Sequence, residues 1–459
     1  VEGEPSQIAL MTSWALGIAL VFSLLVEAKT VGIRQMIRVD NVALVAIYYL
    51  SLAEFLIPQP VFDFQTDAES TRKALTLILL GIVSLALGRH LVSPRKDSTL
   101  QLPELSLAEL FGLMLLCFFV GHSYMFFSVN FNPATLLTEL TDPRFTQNWS
   151  RGRIGGWSSL WIELDLLTYL VPPIGGMLLM NRSRLSAIQI PVIVGMIAFE
   201  LFVGMSVGTR HVFAIHLATL CAAIGLSTKE LTTRRIISIL VPAAVAMLIV
   251  SVAALQYRSI GLRQWVTGLF SAPEQVLVDD SLSPEQRSNL YLMVDNNLRA
   301  ISELTRFYPS QHEYLGSEVV IHGLVHPIPR ALWPGKPTDL SVTVEEVMGI
   351  EGATIAATFV GEGYMAHGVP GVIGFGLVLG ILTAFWNRVG STASSLSRLL
   401  LYAAGFYWAA LSMRSTMWMT VAFLPPFFLF IYLRFLLPVF RGPAETTAQI
   451  PSSDKEFSE

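Results

Sequence analysis

Residues 371–390, "GVIGFGLVLGILTAFWNRVG", contain no charged side chain before Arg388. A helix that crosses the hydrocarbon core of a bilayer, about 30 Å thick, needs roughly 20 predominantly apolar residues. Similar blocks recur along the whole chain, which is 53% hydrophobic and only 14% charged, with a mean hydropathy of +0.57. Typical soluble domains carry roughly 25% charged residues. The composition therefore predicts an all-α integral membrane protein with many spans.

The apolar blocks predict about eleven transmembrane helices. They lie near residues 8–26, 41–60, 74–92, 107–129, 158–180, 186–204, 211–227, 236–256, 369–387, 399–413 and 416–437. No basic residue precedes the first block, so we expect a permanent helix and not a cleaved signal peptide. Cys117 and Cys221 both lie inside apolar blocks, where we expect them to fill space in the core.

Lysine and arginine residues in the short loops predict the orientation. They fall on one side of the membrane, at Lys29, Arg34, Arg38, Arg89, Arg95, Lys96, Arg182, Arg184, Lys229, Arg234, Arg235, Arg388, Arg398, Arg434 and Arg441. Short basic loops stay cytoplasmic. We therefore expect the N-terminus outside, the C-terminus inside, and the long segment between the eighth and ninth spans on the extracytoplasmic face.

This long segment, about residues 257–367, is too long for a structureless connection and is expected to form a folded subdomain. Residues 1–441 would then be one polytopic membrane domain that includes this subdomain. The polar residues 442–459 are predicted to be a disordered cytoplasmic tail. A net charge of −4 argues against a broad basic surface, so no nucleic-acid partner is expected.

The predicted outer face carries cations that the charge rule does not explain. They are Arg144, Arg151, Arg153, Arg210, Arg258, Arg330, Lys336 and Arg414. One interpretation is that they bind an anionic substrate; the other is that each reaches a phospholipid head group or pairs with a carboxylate. Ionisable residues in the spans also favour the outer halves, at Glu54, His122, Glu163, Asp165, Glu200, His211 and His216. Since charge is costly in hydrocarbon, this asymmetry predicts a polar chamber that opens outward.

Two stretches of the long segment predict local structure. Ser283 followed by Pro284 indicates a helix start, and apolar residues at helical spacing continue to Phe307. This amphipathic helix is expected to lie on the membrane surface, to cap the chamber, or to pack on the core of the loop itself. Further on, "HPIPRALWPGKP" at 326–337 is stiffened by prolines, which makes Arg330 and Lys336 candidates to hold an anionic group.

The histidines of the same segment, His312, His322 and His326, match no metal-ligand spacing, and no cysteine lies near them. We therefore expect neither a metal nor another cofactor. The segment ends in "TFVGEGYMAHGVPG" at 358–371, where Glu362 lies between Gly361 and Gly363. Glu362 is predicted to be a general base at the mouth of the chamber. The alternative is that it is a structural partner for an arginine.

These motifs resemble those of the bacterial oligosaccharide repeat-unit polymerases, the Wzy-type O-antigen and exopolysaccharide polymerases. The resemblance rests on "PRF" at 143–145 with "RGRIGG" at 151–156, "VGTRHVF" at 207–213, "IPRALWPGKP" at 328–337 and "GEGYMAHGVPG" at 361–371. It implies a fold similar to the GT-C glycosyltransferases. It also implies a bacterial inner-membrane location with the active site facing the periplasm.

The resemblance implies an enzyme that joins undecaprenyl-pyrophosphate-linked repeat units without a nucleotide sugar or a metal. The growing chain would be the donor and a new lipid-linked unit the acceptor, with a chain-length regulator and a flippase as further partners. It points to Arg144, Arg210 and Arg330 as pyrophosphate or saccharide ligands, with Glu362 and Tyr364 near the reaction centre. The other outer cations are substrate-binding candidates.

In the mechanism that we expect, a base takes the proton of an acceptor sugar hydroxyl, which attacks the donor's anomeric carbon with inversion. Glu362 is the first candidate for this base and His326 the second. Fixed arginines would offset the charge that develops on the pyrophosphate. Three other functions remain open: an O-antigen ligase with an essential loop histidine, a lipid-linked oligosaccharide flippase or other transporter, and a non-catalytic scaffold.

Overall fold

The structure is a computed structural model. It describes residues 3–92, 101–143, 146–149, 161, 163–206, 210–228, 232–257, 260–271, 297–328, 332–337, 339–350, 355–390 and 395–441. Every regular element in these ranges is helical. The first ten α-helices are α1 (Pro5–Val31), α2 (Val39–Leu52), α3 (Ala68–His90), α4 (Leu107–Gly121), α5 (Ser123–Ser128), α6 (Pro133–Thr141), α7 (Val171–Met180), α8 (Gln189–Ser206), α9 (Arg210–Ser227) and α10 (Thr233–Tyr257).

The remaining α-helices include those of the long segment. They are α11 (Leu262–Ser271), α12 (Asn297–Phe307), α13 (Glu318–Val325), α14 (Val344–Met348), α15 (Thr358–Gly390), α16 (Leu396–Arg414), α17 (Thr416–Ala422), α18 (Leu424–Ile431) and α19 (Leu437–Arg441). Short 3₁₀ segments are Ile33–Met36, Ala53–Leu56, Pro60–Phe64, Asp165–Leu170 and Arg182–Arg184, and a π segment spans Tyr432–Leu436.

Within the residues that the structure describes, seven helical segments are long and apolar enough to cross a membrane, so the chain is a helical membrane protein. They are α1, Val39–Leu56, α3, α8, α9, α15 and Thr416–Arg441. Two shorter apolar segments are α4 and Asp165–Met180. The other predicted blocks coincide with α10 and α16. The total of eleven spans and the GT-C-like fold stay predictions.

Helix α15 packs closely along α3 because glycines line both sides of the contact. A Cβ atom on Gly376 would lie 2.9 Å from the carbonyl oxygen of Gly81 and 2.8 Å from the Cβ of Ser84. Small residues let two backbones approach in this way, as is common between membrane helices. The first part of α15, which carries Glu362, also packs on α3, since a Cβ on Gly81 would lie 2.8 Å from the Val360 side chain and 3.3 Å from the Phe359 ring.

Helix α15 is broken at His367 and Gly368. Gly368 has φ 63° and ψ −143°, and a Cβ there would lie 2.8 Å from the Tyr314 hydroxyl, so the position requires glycine. Pro370 has no N–H to donate to the carbonyl of Ala366 four residues earlier. The loop supplies the missing donors: the N–H groups of Leu315 and Gly316 donate to the carbonyls of Met365 and Ala366, at 2.8 and 2.9 Å. The long segment is therefore tied to the break.

Helix α12 is the described end of the amphipathic helix that was predicted from Ser283; residues 272–296 lie outside the described ranges. Its side chains Leu298, Ala300, Ile301 and Leu304 are fully buried, in one apolar core with residues of α3 and α15. The described part thus packs on protein and not on the membrane surface.

Candidate functional site

Glu362 lies in the first part of α15 and is only 2% exposed. The hydroxyl of Ser415, the hydroxyl of Thr416 and the backbone N–H of Thr416, at 2.6 Å, all donate to its carboxylate. Ser415 is extended, at φ −160° and ψ 132°, and separates α16 from α17. The first N–H groups of a helix have no acceptor within the helix. Glu362 supplies one and holds the two helices at this junction.

His326 and Lys336 approach the same junction from the proline-rich segment. The half-buried imidazole of His326 lies 5.6 Å from the Trp418 ring of α17 and 5.6 Å from the His322 ring, between ring centroids. The Lys336 ammonium donates to the backbone carbonyls of His326, at 2.5 Å, and Ile328, at 3.0 Å. The rigidity predicted for residues 326–337 therefore comes in part from this lysine, since it ties the two ends of the segment together.

Arg414 is the last residue of α16 and directly precedes Ser415. Its guanidinium is close enough to Tyr169 for the two groups to interact electrostatically. Glu362, His326, Lys336 and Arg414 were selected from separate parts of the sequence. In the structure, Arg414 ends α16 and Glu362 binds the two residues that follow it. His326 contacts Trp418 of α17, and Lys336 binds the backbone carbonyl of His326.

Tyr364 belongs to a different set of contacts. Its hydroxyl donates to the Tyr308 carbonyl at 3.2 Å, and its ring lies edge-on to Tyr314 with the centroids 5.7 Å apart. The Tyr308 and Tyr314 rings are nearly parallel, at 6.0 Å. Burial raises the pKa of the Tyr308 hydroxyl to about 12, so this group is neutral at physiological pH. Tyr364 thus joins the loop to the broken helix through aromatic contacts.

Only some of the cations predicted to bind substrate lie within the described residues. Arg210 is the first residue of α9, is 9% exposed and interacts electrostatically with Tyr257. Five other predicted cations lie outside the described residues: Arg144, Arg151, Arg153, Arg258 and Arg330. Their roles stay predictions.

A second buried polar cluster forms where four of the predicted intramembrane residues meet. The Nε2 atom of His122 lies 3.0 Å from Oε1 of Glu200, and both side chains are buried. Asp165 interacts electrostatically with this pair, and the His216 ring lies 4.7 Å from the Tyr169 ring. The cluster draws on α8, α9, the 3₁₀ segment Asp165–Leu170 and the junction of α4 and α5. Four of the ionisable residues that the sequence predicts in the outer halves of the spans therefore belong to one cluster in the structure.

Sequence reasoning missed Ser415, Thr416 and Trp418 as site residues. The available signal was "RSTMW" at 414–418, in which an arginine and two hydroxyl residues interrupt the apolar blocks at the point where one helix ends and the next begins. Hydroxyl residues are common at such helix starts. The pattern indicates a junction, but it does not name Glu362, more than fifty positions away, as the acceptor.

Among the described residues, no group of three or more His, Cys, Asp or Glu side chains is placed to hold a metal ion. Comparisons with protein-family models, with curated proteins and with solved structures found no match. The resemblance to the repeat-unit polymerases therefore rests on the sequence motifs.

Proposed function

We propose that this protein is a membrane glycosyltransferase that joins lipid-pyrophosphate-linked oligosaccharide repeat units. The observation that carries the proposal is the arrangement around the junction of α16 and α17. Glu362 binds Ser415 and Thr416 directly after Arg414. The His326 ring lies beside Trp418 of α17, and the Lys336 ammonium binds the His326 carbonyl. A carboxylate, an imidazole and two cations are the groups that proton removal and pyrophosphate departure need when no metal takes part. The motif resemblance gives the substrate class.

In the proposed reaction, the acceptor hydroxyl loses its proton to a base while its oxygen attacks the anomeric carbon of the donor. The bond from that carbon to the pyrophosphate oxygen breaks, and the leaving group takes the bonding electrons. Arg414 and Arg210, together with the predicted Arg330, offset the negative charge on the leaving group. Attack from the opposite face inverts the configuration of the anomeric carbon.

Glu362 and His326 are the two candidates for the base. The Ser415 hydroxyl already donates to Glu362, so a proton can reach the carboxylate through Ser415 while Ser415 accepts the proton of the sugar hydroxyl. His326 is half-buried beside Trp418 and would accept the proton directly. In both cases Glu362 also positions Arg414, because it fixes Ser415 and Thr416 directly after that arginine.

Deletion of the gene in its host, followed by complementation, tests the proposal. We expect wild type to restore long surface glycan, and Glu362→Gln and the deletion both to stop it at one repeat unit. Glycans are resolved by size on the surface and on the lipid carrier. Long chains stranded on the carrier would indicate a ligase, and single units trapped inside the cell would indicate a flippase; either result would overturn the proposal.

The protein level of each variant must be measured beside its glycan. Thr416→Val is the matched control, because it removes one hydroxyl donor to the same carboxylate and leaves both the carboxylate and the Ser415 hydroxyl in place. If Glu362 is the base and His326 is not, His326→Gln retains polymer and Glu362→Gln does not.

A further inference from the structure

Helix α13 of the long segment has two faces that differ in burial. Val319, His322 and Gly323 are buried. Val320, Ile321 and Leu324, on the other face, are 43%, 54% and 62% exposed. The residues that follow add further exposed apolar side chains at Ile328, Leu332 and Trp333. We call these six residues, Val320, Ile321, Leu324, Ile328, Leu332 and Trp333, the apolar loop surface.

The composition of this surface is unusual for a segment in water. Between residues 319 and 335 the sequence contains no Asp, Glu or Lys, and the one arginine, Arg330, lies outside the described residues. Soluble surfaces seldom expose a large contiguous apolar patch unless it binds another apolar surface. Six exposed apolar side chains within fourteen positions therefore indicate a partner that is itself apolar.

The contact between α13 and α17 gives the depth of this surface. The Thr420 hydroxyl donates to the Gly323 carbonyl, and a Cβ on Gly323 would lie 3.5 Å from the carbonyl oxygen of Thr416. Helix α13 thus packs against the first turns of the candidate span Thr416–Arg441. Whatever surrounds this end of the span also surrounds α13.

The arginines at the two ends of the uncharged part of this span, Arg414 and Arg434, indicate where the hydrocarbon core of the bilayer begins and ends. The 19 residues from Ser415 to Leu433, between Arg414 and Arg434, contain no charged side chain. At 1.5 Å per residue they are about 29 Å long, which matches a hydrocarbon core of about 30 Å. Thr416 and Thr420 therefore lie within roughly the first 9 Å below one boundary of that core. The helix that packs on them lies at the depth of the leaflet and not in the water above it.

We propose that the apolar loop surface is embedded in this leaflet, with the bilayer lipids as its partner. Helix α13 is then an interfacial helix within a segment that the sequence presents as extramembrane. Its exposed face contacts acyl chains, and Trp333 lies at the head-group level, where tryptophan is enriched. His326 directly follows this helix, and the Lys336 ammonium binds the carbonyls of His326 and Ile328, so both residues then lie near the same level. If the proposed function is correct, this is where the pyrophosphate of a membrane-bound substrate lies, but the lipid contact does not depend on it.

Depth-dependent fluorescence quenching tests the proposal on the full chain in phosphatidylethanolamine and phosphatidylglycerol vesicles. Bimane is attached to single cysteines, Ile321→Cys and Leu324→Cys, in a chain that carries Cys117→Ala and Cys221→Ala. One quencher is a lipid with a nitroxide near the head-group end of its acyl chain, and the other is aqueous iodide. Both labels are expected to lose most of their fluorescence to the nitroxide lipid and little to iodide.

Two labelled controls bracket this result. Phe428→Cys, on an exposed position of the span, reports a lipid-facing site, and Gln311→Cys, exposed on the same long segment, reports a site in water. Quenching of Ile321 and Leu324 by iodide, as at Gln311, would overturn the proposal. Protection from both quenchers would also overturn it, because a second protein surface would then cover the patch. Neither measurement uses enzyme activity, so failure of the proposed function would leave the result unchanged.

Discussion

Two buried carboxylates, Glu362 and Glu200, are stabilised in different ways. Glu362, at 2% exposure, accepts hydrogen bonds from the Ser415 hydroxyl and from both the hydroxyl and the N–H of Thr416, all of them neutral donors. Glu200, at 0% exposure, has His122 as its hydrogen-bond partner, and its second oxygen has no partner among the described residues.

The difference shows that burial alone does not define what a carboxylate does. Neutral donors that come from one junction fix a carboxylate in space and tie two helices together. When a buried carboxylate is paired with an imidazole, removal of either residue leaves the other polar group buried without a partner. Replacement of both residues by apolar ones costs much less. Glu362 is therefore expected to respond to the loss of single donors, and Glu200 to the loss of His122.

The largest effect is expected from breaking the pair of Glu200 and His122. Glu200→Leu leaves a buried imidazole without its partner, and removing one partner of a buried ion pair typically costs about 3–5 kcal/mol. The free energy of unfolding, measured by denaturant titration in mixed micelles, should fall by an amount of this order. The double variant Glu200→Leu with His122→Phe should recover most of the loss, because both polar groups are then replaced. A double variant no more stable than Glu200→Leu would show that the two residues do not act as a pair.

A smaller effect is expected at Glu362. Thr416→Val removes one hydroxyl donor from a buried carboxylate, and leaving such a group partly unsatisfied costs about 1–3 kcal/mol. Thr416→Ser keeps the hydroxyl and should stay close to wild type in the same titration. If Glu362 serves only as an anchor, polymer length in Glu362→Gln, Ser415→Ala and Thr416→Val should follow their stabilities. Loss of polymer in Glu362→Gln but not in Thr416→Val, at equal stability, would separate catalysis from anchoring.

The helices that carry the two carboxylates also differ. Helix α15, which carries Glu362, is broken at Gly368, whereas no such break is found in α8, which carries Glu200. Gly368→Ala forces an L side chain to φ 63° and ψ −143°, a sparsely populated conformation that costs about 1–3 kcal/mol. It also brings a methyl group against the Tyr314 hydroxyl. The unfolding free energy should fall accordingly. The neighbouring Gly374, whose Cβ would meet nothing within 4 Å, is the matched control and should tolerate alanine. Equal tolerance at both positions would contradict the observed break.

The smallest effect is expected at Asp67, a partly exposed carboxylate at the start of α3. It has a neutral hydrogen-bond donor, Ser70, and a charged partner, Arg306. Partial burial raises its pKa, but the N–H and hydroxyl of Ser70 and the charge of Arg306 lower the pKa below its ordinary value overall. Its contribution to stability is therefore present above the pKa of the unfolded chain and is lost as the pH falls through the folded pKa. Asp67→Ala should cost about 0.5–2 kcal/mol at neutral pH.

The pH dependence supplies the check on Asp67. The stability difference between wild type and Asp67→Ala should narrow in acid. Asp67→Asn still caps the helix but lacks the charge, so its stability should lie between those of wild type and Asp67→Ala at neutral pH. A difference that stays constant from neutral pH to strong acid would mean that the carboxylate charge contributes nothing.

Some of the site could be expected from the sequence. Glu362, His326, Lys336 and Arg414 were selected from motif and charge. Glu362 and His326 contact residues of the junction between α16 and α17, and the role of all four stays a prediction. The acceptor role of Glu362 toward Ser415 and Thr416 could not be expected, because the partners are more than fifty positions apart and the contact depends on how α15 and α16 pack. The glycines and proline at 368–371 signal a break in α15, yet the apolar block was predicted to begin only at 369.

Helices α12 and α13 of the long segment also show what a sequence pattern cannot predict. Both α12 and α13 carry apolar side chains at helical spacing. Helix α12 buries its apolar face in the core with residues of α3 and α15, whereas α13 leaves three of its five apolar side chains exposed. A hydrophobic pattern predicts that a face will be covered, but it does not say whether protein or lipid covers it.

By itself, the sequence determined that this is a helical membrane protein and where most of its helices lie, because a long uncharged block has few other stable states in a bilayer. It also determined which ionisable residues stand out. Only the tertiary structure decided which of them meet: Glu362 with Ser415 and Thr416, and Glu200 with His122. The physical reason is that helix formation depends on local spacing and solvent, whereas these contacts depend on the close packing of helices that are distant in the chain.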